Sequence, residues 1–394
     1  MTKSKFAYIA LSLTVMLSLV TAAVLGQPAK EGSIYRYLSI FTEVFSLIRD
    51  NYVDNVTSDQ LVEGAFNGVT DAVDEFSYYV PPSLMGQYRT FVDDEQNGIG
   101  LVVTKRYGFG YVIAPVAGSP AALAGLEAGD LIDQIDGKPT AKMAVWQIRE
   151  ALQTEPGKTL ALRIVRGGVT KRESMSVTRK SFTTPALTPQ NFGNVAYIKL
   201  PFFEKGTARQ LADSLASVEK SGKQKLIIDL RENAGGSVDE AIASADLLLS
   251  KGLITSVEGR RADVKRWEAD PAVSYNGEVE VLTDSSSAAG AEIFAAAISE
   301  NGRGKTVGVT TFGKAVVQKF VTLPSEGGLN VTVGHYTTPK EKPILSAGLR
   351  PDVPVELIAS VVKEELNPKS APPDVILEKA LELFGEKKAM KAAA

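Results

Sequence analysis

Between Glu278 and Gln318 the chain spells a strand, a turn, a helix and a second strand with little between them. Glu278–Thr283 is a short β-run, and Asp284-Ser285-Ser286-Ser287-Ala288-Ala289-Gly290 is a turn of small and hydroxyl-bearing residues. An apolar, alanine-rich helix follows over about Ala291–Ser299, and Lys305–Val309 is a second β-run that leads into Thr311-Phe312-Gly313-Lys314. That order asks for an α/β layer. A small-residue turn between a strand and a helix also presents a side chain beside free helix-N-terminal amides, the local geometry of a nucleophile. A lysine on the following loop is placed to serve as its base.

Composition narrows the chemistry. With no cysteine, thiol nucleophiles, thiolate metal sites and disulfides are excluded. The one histidine, His335, lies in the β-like run Asn330–Tyr336 with no H-E-x-x-H pattern, so it reads as a strand residue. A Ser-His-Asp triad would rest on that residue alone, whereas a buried lysine loses its proton near neutral pH because desolvation disfavours the charge. A net charge of −3 with both signs interspersed gives no sign of a nucleic-acid partner. At 394 residues the chain has room for two or three domains.

Taken in order, Lys3 and Lys5 precede an apolar run from Phe6 to about Gly26, which reads as an export signal or a retained membrane anchor. Residues 35–90 read as helical, with Leu38, Phe41, Val44, Phe45 and Ile48 at helical spacing, a Thr57-x-x-Gln60 capping box, and a break at Pro81-Pro82. Over about 95–182 short β-runs frame Gly98-Ile99-Gly100-Leu101, Ser119-Pro120-Ala121, Ala124-Gly125-Leu126 and Gly129-Asp130-Leu131-Ile132, and no second copy of the unit follows. Strands at Val195–Leu200 and Lys225–Leu230 then alternate with helices at Thr207–Lys220 and Val238–Ser250, the second closed by Gly252. The turn Arg231–Gly236 puts paired glycines between a buried strand and a helix N-terminus, either a tight turn or an oxyanion site. A final helix is expected at about Val375–Phe384, with a frayed end over Glu386–Ala394. Gly302-Arg303-Gly304-Lys305-Thr306 lacks the first glycine of a P-loop, and Gly108-Phe109-Gly110 lacks the third of a dinucleotide loop.

The S-P-A-x-x-A-G-L-x-x-G-D-x-I stretch resembles a PDZ domain, which implies that the Gly98, Ile99, Gly100 and Leu101 loop offers backbone amides to a peptide's terminal carboxylate while the peptide adds as a strand. With Asp229–Gly236, the Glu292-Ile293-Phe294 helix, Thr311–Lys314 followed by Gln318, and Gly348–Asp352, residues 35–385 resemble the carboxyl-terminal processing proteases. The resemblance implies a crotonase-like α/β protease core, an inserted PDZ domain, and a serine nucleophile with Lys314 as base and Gln318 holding it. Gly235 and Gly290 match the oxyanion donors. Neither metal nor organic cofactor is implied. The expected layout is a signal or anchor at 1–26, a helical region at 27–94, the PDZ domain at 95–182, the core at 183–360 and a helical tail at 361–394. The expected partners are exported proteins with free C-termini, an adaptor, and further copies of the chain joined by the terminal helices; the setting is the periplasm or the outer face of a membrane.

The pattern fails at its centre. The family's serine lies three residues before the Glu of E-I-F, and that position is Ala289, which has no hydroxyl. Two accounts stand open: an engineered replacement of serine, or a non-catalytic, peptide-binding scaffold. Of the upstream serines, Ser287 is the nearest, and it should point elsewhere on the turn. Ala315 also departs from the family, where glycine follows the lysine.

Overall fold

The computed structural model describes residues 34–91, 98–166, 171–261, 264–356 and 374–386, with Thr14 and Met16. Apart from those two residues, the expected signal or anchor falls outside them, as do residues 357–373 and the chain beyond Glu386. No helix among the described residues is long and apolar enough to cross a membrane. The chain divides into two units, Met1–Phe66 and Asn67–Ala394.

In the first unit α1 (Ile34–Asn51) carries the predicted apolar stripe and buries none of it. Helix α2 (Ser58–Asp71) opens on the predicted capping box: Gln60 Oε1 accepts the Thr57 N–H at 3.0 Å, and Thr57 Oγ1 accepts the Gln60 N–H at 3.2 Å. The helical reading of 35–90 is broken by β1 (Tyr78–Val80), three buried residues of high strand propensity that pair antiparallel with Gly328–Asn330. A short α3 (Met85–Thr90) follows Pro81-Pro82.

Next come β2 (Leu101–Arg106), β3 (Phe109–Pro115), α4 (Pro120–Leu123), β4 (Leu131–Ile135), β5 (Lys138–Pro139), α5 (Val145–Leu152), β6 (Thr159–Arg166) and β7 (Lys171–Thr178). They form one sheet in the order β2-β3-β4-β6-β7, with β5 beside β4 and a core of Ile99, Val112, Ile132, Ile148, Leu152 and Ile164. Ser119 caps α4 by accepting the Ala122 N–H, and Pro120 takes the first helical position, where its missing N–H costs nothing.

The remainder contains β8 (Gln190–Phe192), β9 (Val195–Lys199), α6 (Thr207–Lys220), β10 (Lys225–Asp229), α7 (Val238–Asp246), β11 (Leu253–Glu258), β12 (Lys265–Glu268) and β13 (Glu278–Thr283). After these come α8 (Gly290–Glu300), β14 (Gly304–Gly308), β15 (Val316–Thr322), β16 (Gly328–Thr337), β17 (Val353–Pro354) and α9 (Val375–Leu383). One sheet runs β17-β14-β13-β10-β9-β8, parallel except for β8. Its strands read as unbroken apolar runs because both faces are covered. Ala196, Ile198, Leu226, Ile228, Val279 and Val281 face α6, α7 and α8, while Val195, Tyr197, Ile227, Leu282 and Val307 face α9. Helix α8 is buried from Gly290 through Ile298, which is why it has no polar face. A second sheet, β1-β16-β11-β12 with β15 on β16, flanks the first. Helix α7 stops at Asp246, short of the predicted Ser250, and a turn runs on to Gly252.

Under α9 lies a buried carboxyl, opposite Lys305 in the β13–β14 register. Glu280 is 5% exposed and its Oε2 has no partner; burial pushes its carboxyl up to about 7. The fold therefore favours the neutral acid, a contribution present below the ordinary carboxylate range and lost as pH rises through about 7. Glu280→Gln should leave the melting temperature at pH 5 nearly unchanged. At pH 8 it should stabilise the protein by about 1–3 kcal/mol, read from paired thermal melts.

Candidate active site

The parallel register of β10 and β13 sets Asp229 opposite Leu282, so the loops that leave their C-terminal ends lie side by side. Hydrogen bonds stitch them together. Asp284 Oδ1 accepts the Ser286 and Ser287 N–H groups at 2.9 and 2.8 Å and, across the gap, the Glu232 N–H at 3.2 Å. Ser287 Oγ donates to Leu230 O at 2.8 Å and accepts the Asp284 N–H at 3.0 Å, and Ala288 N–H reaches Asn233 O at 2.9 Å. Ser287 is thus buried and engaged in structure, as its sequence position implied.

This scaffold drives Ala289 into an uncommon backbone state, φ 50° and ψ −109°, at the N-cap of α8. Positive φ on a residue with a Cβ costs about 1–3 kcal/mol and persists only where surrounding bonds impose it. A sharp strand-to-helix turn of this kind lifts the residue's side chain clear of the sheet. The side chain lifted here is a methyl.

Gly235 faces it, with φ +124°; a Cβ built there would stand 3.0 Å from Ala289 Cβ and 3.9 Å from Gly290 N. Its N–H donates to Asn233 Oδ1 at 3.1 Å, while Asn233 Nδ2 donates to Leu200 O at 2.9 Å, so a buried asparagine shapes the turn. Gly290 is the first residue of α8, so its N–H has no partner within the helix. Its own Cβ would meet Ala241 Cβ at 2.9 Å and Phe203 at 3.0 Å, so only glycine fits.

The loop between β14 and β15 completes the cluster. Phe312 N–H donates to Ser287 O at 3.0 Å and Lys314 N–H to Glu292 Oε2 at 2.8 Å. Ala315, 1% exposed, packs into the main core and its carbonyl accepts the Tyr336 N–H, so the extra methyl is absorbed there. Gln318 sits at a register shift in β15, its Nε2 donating to Phe76 O at 2.6 Å. His335 lies in β16 opposite Val316 and Glu258, a strand residue.

At the other sheet's edge, Ile99 N–H is engaged by Leu152 O at 3.3 Å, and Gly100 O accepts from Ser119 Oγ at 2.9 Å. Strand β2 is an edge strand, but Arg149 Nε of α5 reaches Val103 O at 3.4 Å along it. The opposite face of this domain covers the cluster just described: Val102, Ile113 and Ala114 pack with Ala234, Ala288 and Phe312. Arg106 sits 4.2 Å above the Phe312 ring and forms a two-pronged pair with Glu75 at 2.5 and 2.7 Å. Among the described residues no group of His, Asp or Glu side chains could hold a metal ion.

Sequence reasoning missed Asn233, Asp284 and Glu292 as site-building residues. The signal for Glu292 was a capping box, residue 289-x-x-Glu292, hidden because alanine stands where the hydroxyl partner belongs.

Comparisons with known proteins match these features. Residues 194–355 match peptidase family S41, and residues 111–166 match a PDZ domain. A carboxy-terminal-processing protease of Bartonella bacilliformis is 31% identical over 332 residues, covering 83% of this chain and 76% of that protein. The carboxy-terminal processing protease CtpA of Bacillus subtilis is 28% identical, over 85% of this chain and 72% of its own length. The photosystem II D1 C-terminal processing protease shares the fold, with a TM-score of 0.65 at 24% identity over 80% of this chain and 92% of that one.

Overpacking the first turn of α8 tests this geometry: Gly290→Ala should cost about 1–3 kcal/mol in urea unfolding, because the added methyl would have to displace Ala241 or Phe203, both fully buried.

Proposed function

The chain belongs to the carboxy-terminal-processing proteases of peptidase family S41, and on that footing we propose that it is a serine-endopeptidase scaffold whose nucleophile position, 289, carries alanine. The observation that supports this most is the backbone of Ala289, held at φ 50° and ψ −109° although its methyl gains nothing from the strain. With serine there, neutral Lys314 would take the hydroxyl proton and return it to the leaving amine. The Gly235 and Gly290 amides would receive the developing oxyanion, each worth a few kcal/mol. For that, Gly235 N–H has to turn from Asn233 Oδ1 toward the substrate. Substrates would be polypeptides whose free C-termini the PDZ domain captures, in a setting outside the cytoplasm; Lys3, Lys5 and the apolar run after them support that setting.

Degradation of an unstructured protein tests the reading. Ala289→Ser should cut where the chain as it stands does not, and adding Lys314→Ala should lower the rate by about 100-fold or more. Equal cutting by the unaltered chain would end the assignment of position 289. Silence from Ala289→Ser, with C-terminal peptides present, would favour the second reading, a peptide-binding scaffold. The missing hydroxyl and the engaged Gly235 amide already speak for that one.

The packing of Val102, Ile113 and Ala114 over Ala288 and Phe312 supports a gate, closed as seen and opened by peptide capture. In the Ala289→Ser background, Arg106→Ala should raise basal cleavage several-fold, roughly the effect of losing one charge-assisted pair. Lower cleavage in that variant would mean that the packed arrangement is the working one.

A further inference from the structure

Glu292 lies on the first turn of α8 and is fully buried, in a helix whose other buried residues are Gly, Ala, Ile and Phe. Four groups converge on its carboxylate and all are donors. Thr311 Oγ and Gly313 N–H reach Oε1 at 2.5 and 2.7 Å; Lys314 N–H and Ala289 N–H reach Oε2 at 2.8 and 3.0 Å. We propose that the ionised Glu292 carboxylate is the positioning residue of this site, fixing the nucleophile position to the base lysine by holding both backbones on one oxygen. The proposal rests on the assignment of 289 and 314 to those roles.

The argument is one of cost and of hydrogen count. Burying a carboxylate in an apolar helix costs several kcal/mol, and an apolar side chain would fill the space more cheaply. The charge therefore has a use that packing does not supply, and the helix N-terminus offsets part of its cost. Residues 289 and 314 cannot separate without breaking one of the two bonds on Oε2. Protonation would place a fifth hydrogen among four donors, and of those partners only the Thr311 hydroxyl, which already accepts the Leu349 N–H, could turn to take it. A glutamine at this position would turn its amide nitrogen toward one pair of donors, with the same result. Burial pushes the carboxyl up and the four donors pull it down, with a balance at about 7. Of the residues bonded to it only Lys314 titrates, and Arg350 on the neighbouring loop is exposed.

Two measurements decide it. In the Ala289→Ser background, Glu292→Gln should lower kcat by about 100-fold with KM within about twofold, the penalty of a misplaced reacting pair. Glu292→Asp, which keeps the charge, should recover at least about tenfold of that loss. A fall in kcat equal in both variants and in step with melting temperature would overturn the proposal in favour of plain packing. The second measurement uses the chain as it stands. There, amide hydrogen exchange at Ala289 and Lys314 should be at least several-fold more protected than in its Glu292→Gln variant, while Ile228 in β10 does not change. Equal protection in the two would overturn the proposal. If Ala289→Ser proves inert, the protease reading fails by itself, and the exchange result still decides whether Glu292 ties the two loops together.

Discussion

The in-register parallel pairing of β10 with β13 is the constraint on which the site depends. Because both strands are sealed on both faces, neither can slide without exposing apolar residues to polar surroundings. Their C-terminal ends therefore finish at one level, and the two loops that leave them are close enough to share Asp284, Ser287 and Asn233 as cross-braces. The strained elbow at 289 and the left-handed turn at 235 are the local result of that sharing. Each needs the other's backbone for its hydrogen bonds.

What sequence reasoning could reach follows from this. The apolar strands and the helices between them were legible, since period and punctuation decide them: Thr207–Lys220 and Glu278–Thr283 appear with the predicted ends. The pair Gly235 and Gly290 was legible from loop position and family likeness, and the structure sets them face to face. Strand β1 was not, because its three residues fit a helix as well as a strand until a distant partner claims them. Glu292 was seen only as a landmark for counting. Three of its four partners come from residues 311–314, on a loop beyond the next strand, and convergence of that kind leaves no local pattern.

Among the described residues, the PDZ domain meets the core through two apolar groups. One is the apolar contact over Phe312; the other is an aromatic group in which Tyr88 stacks on Phe320 at 4.6 Å and meets Trp146 edge-on at 5.3 Å. Trp146 begins α5, whose other end holds Ile99, and Phe320 lies two residues beyond Gln318 in β15. Tyr88 thus stands between α5 and the strand that carries Gln318. Trp146 Nε1 finds no hydrogen-bond partner there, whereas the Tyr88 hydroxyl lies 3.0 Å from that of Tyr78.

The helix that closes the back of the sheet has a bearing on timing. Arg231, in the loop that shapes the Gly235 turn, is held by two carboxylates: Asp229, two residues away, and Asp374, 143 residues downstream at the cap of α9. Synthesis runs from the N-terminus, so a ribosome that has already made residues 289 and 314 has yet to supply the second anchor of the loop facing them. A chain cut short before Asp374 would have every residue of the cluster and lack part of its frame. The site is among the last features of this molecule to be finished, although its residues are made well before the end.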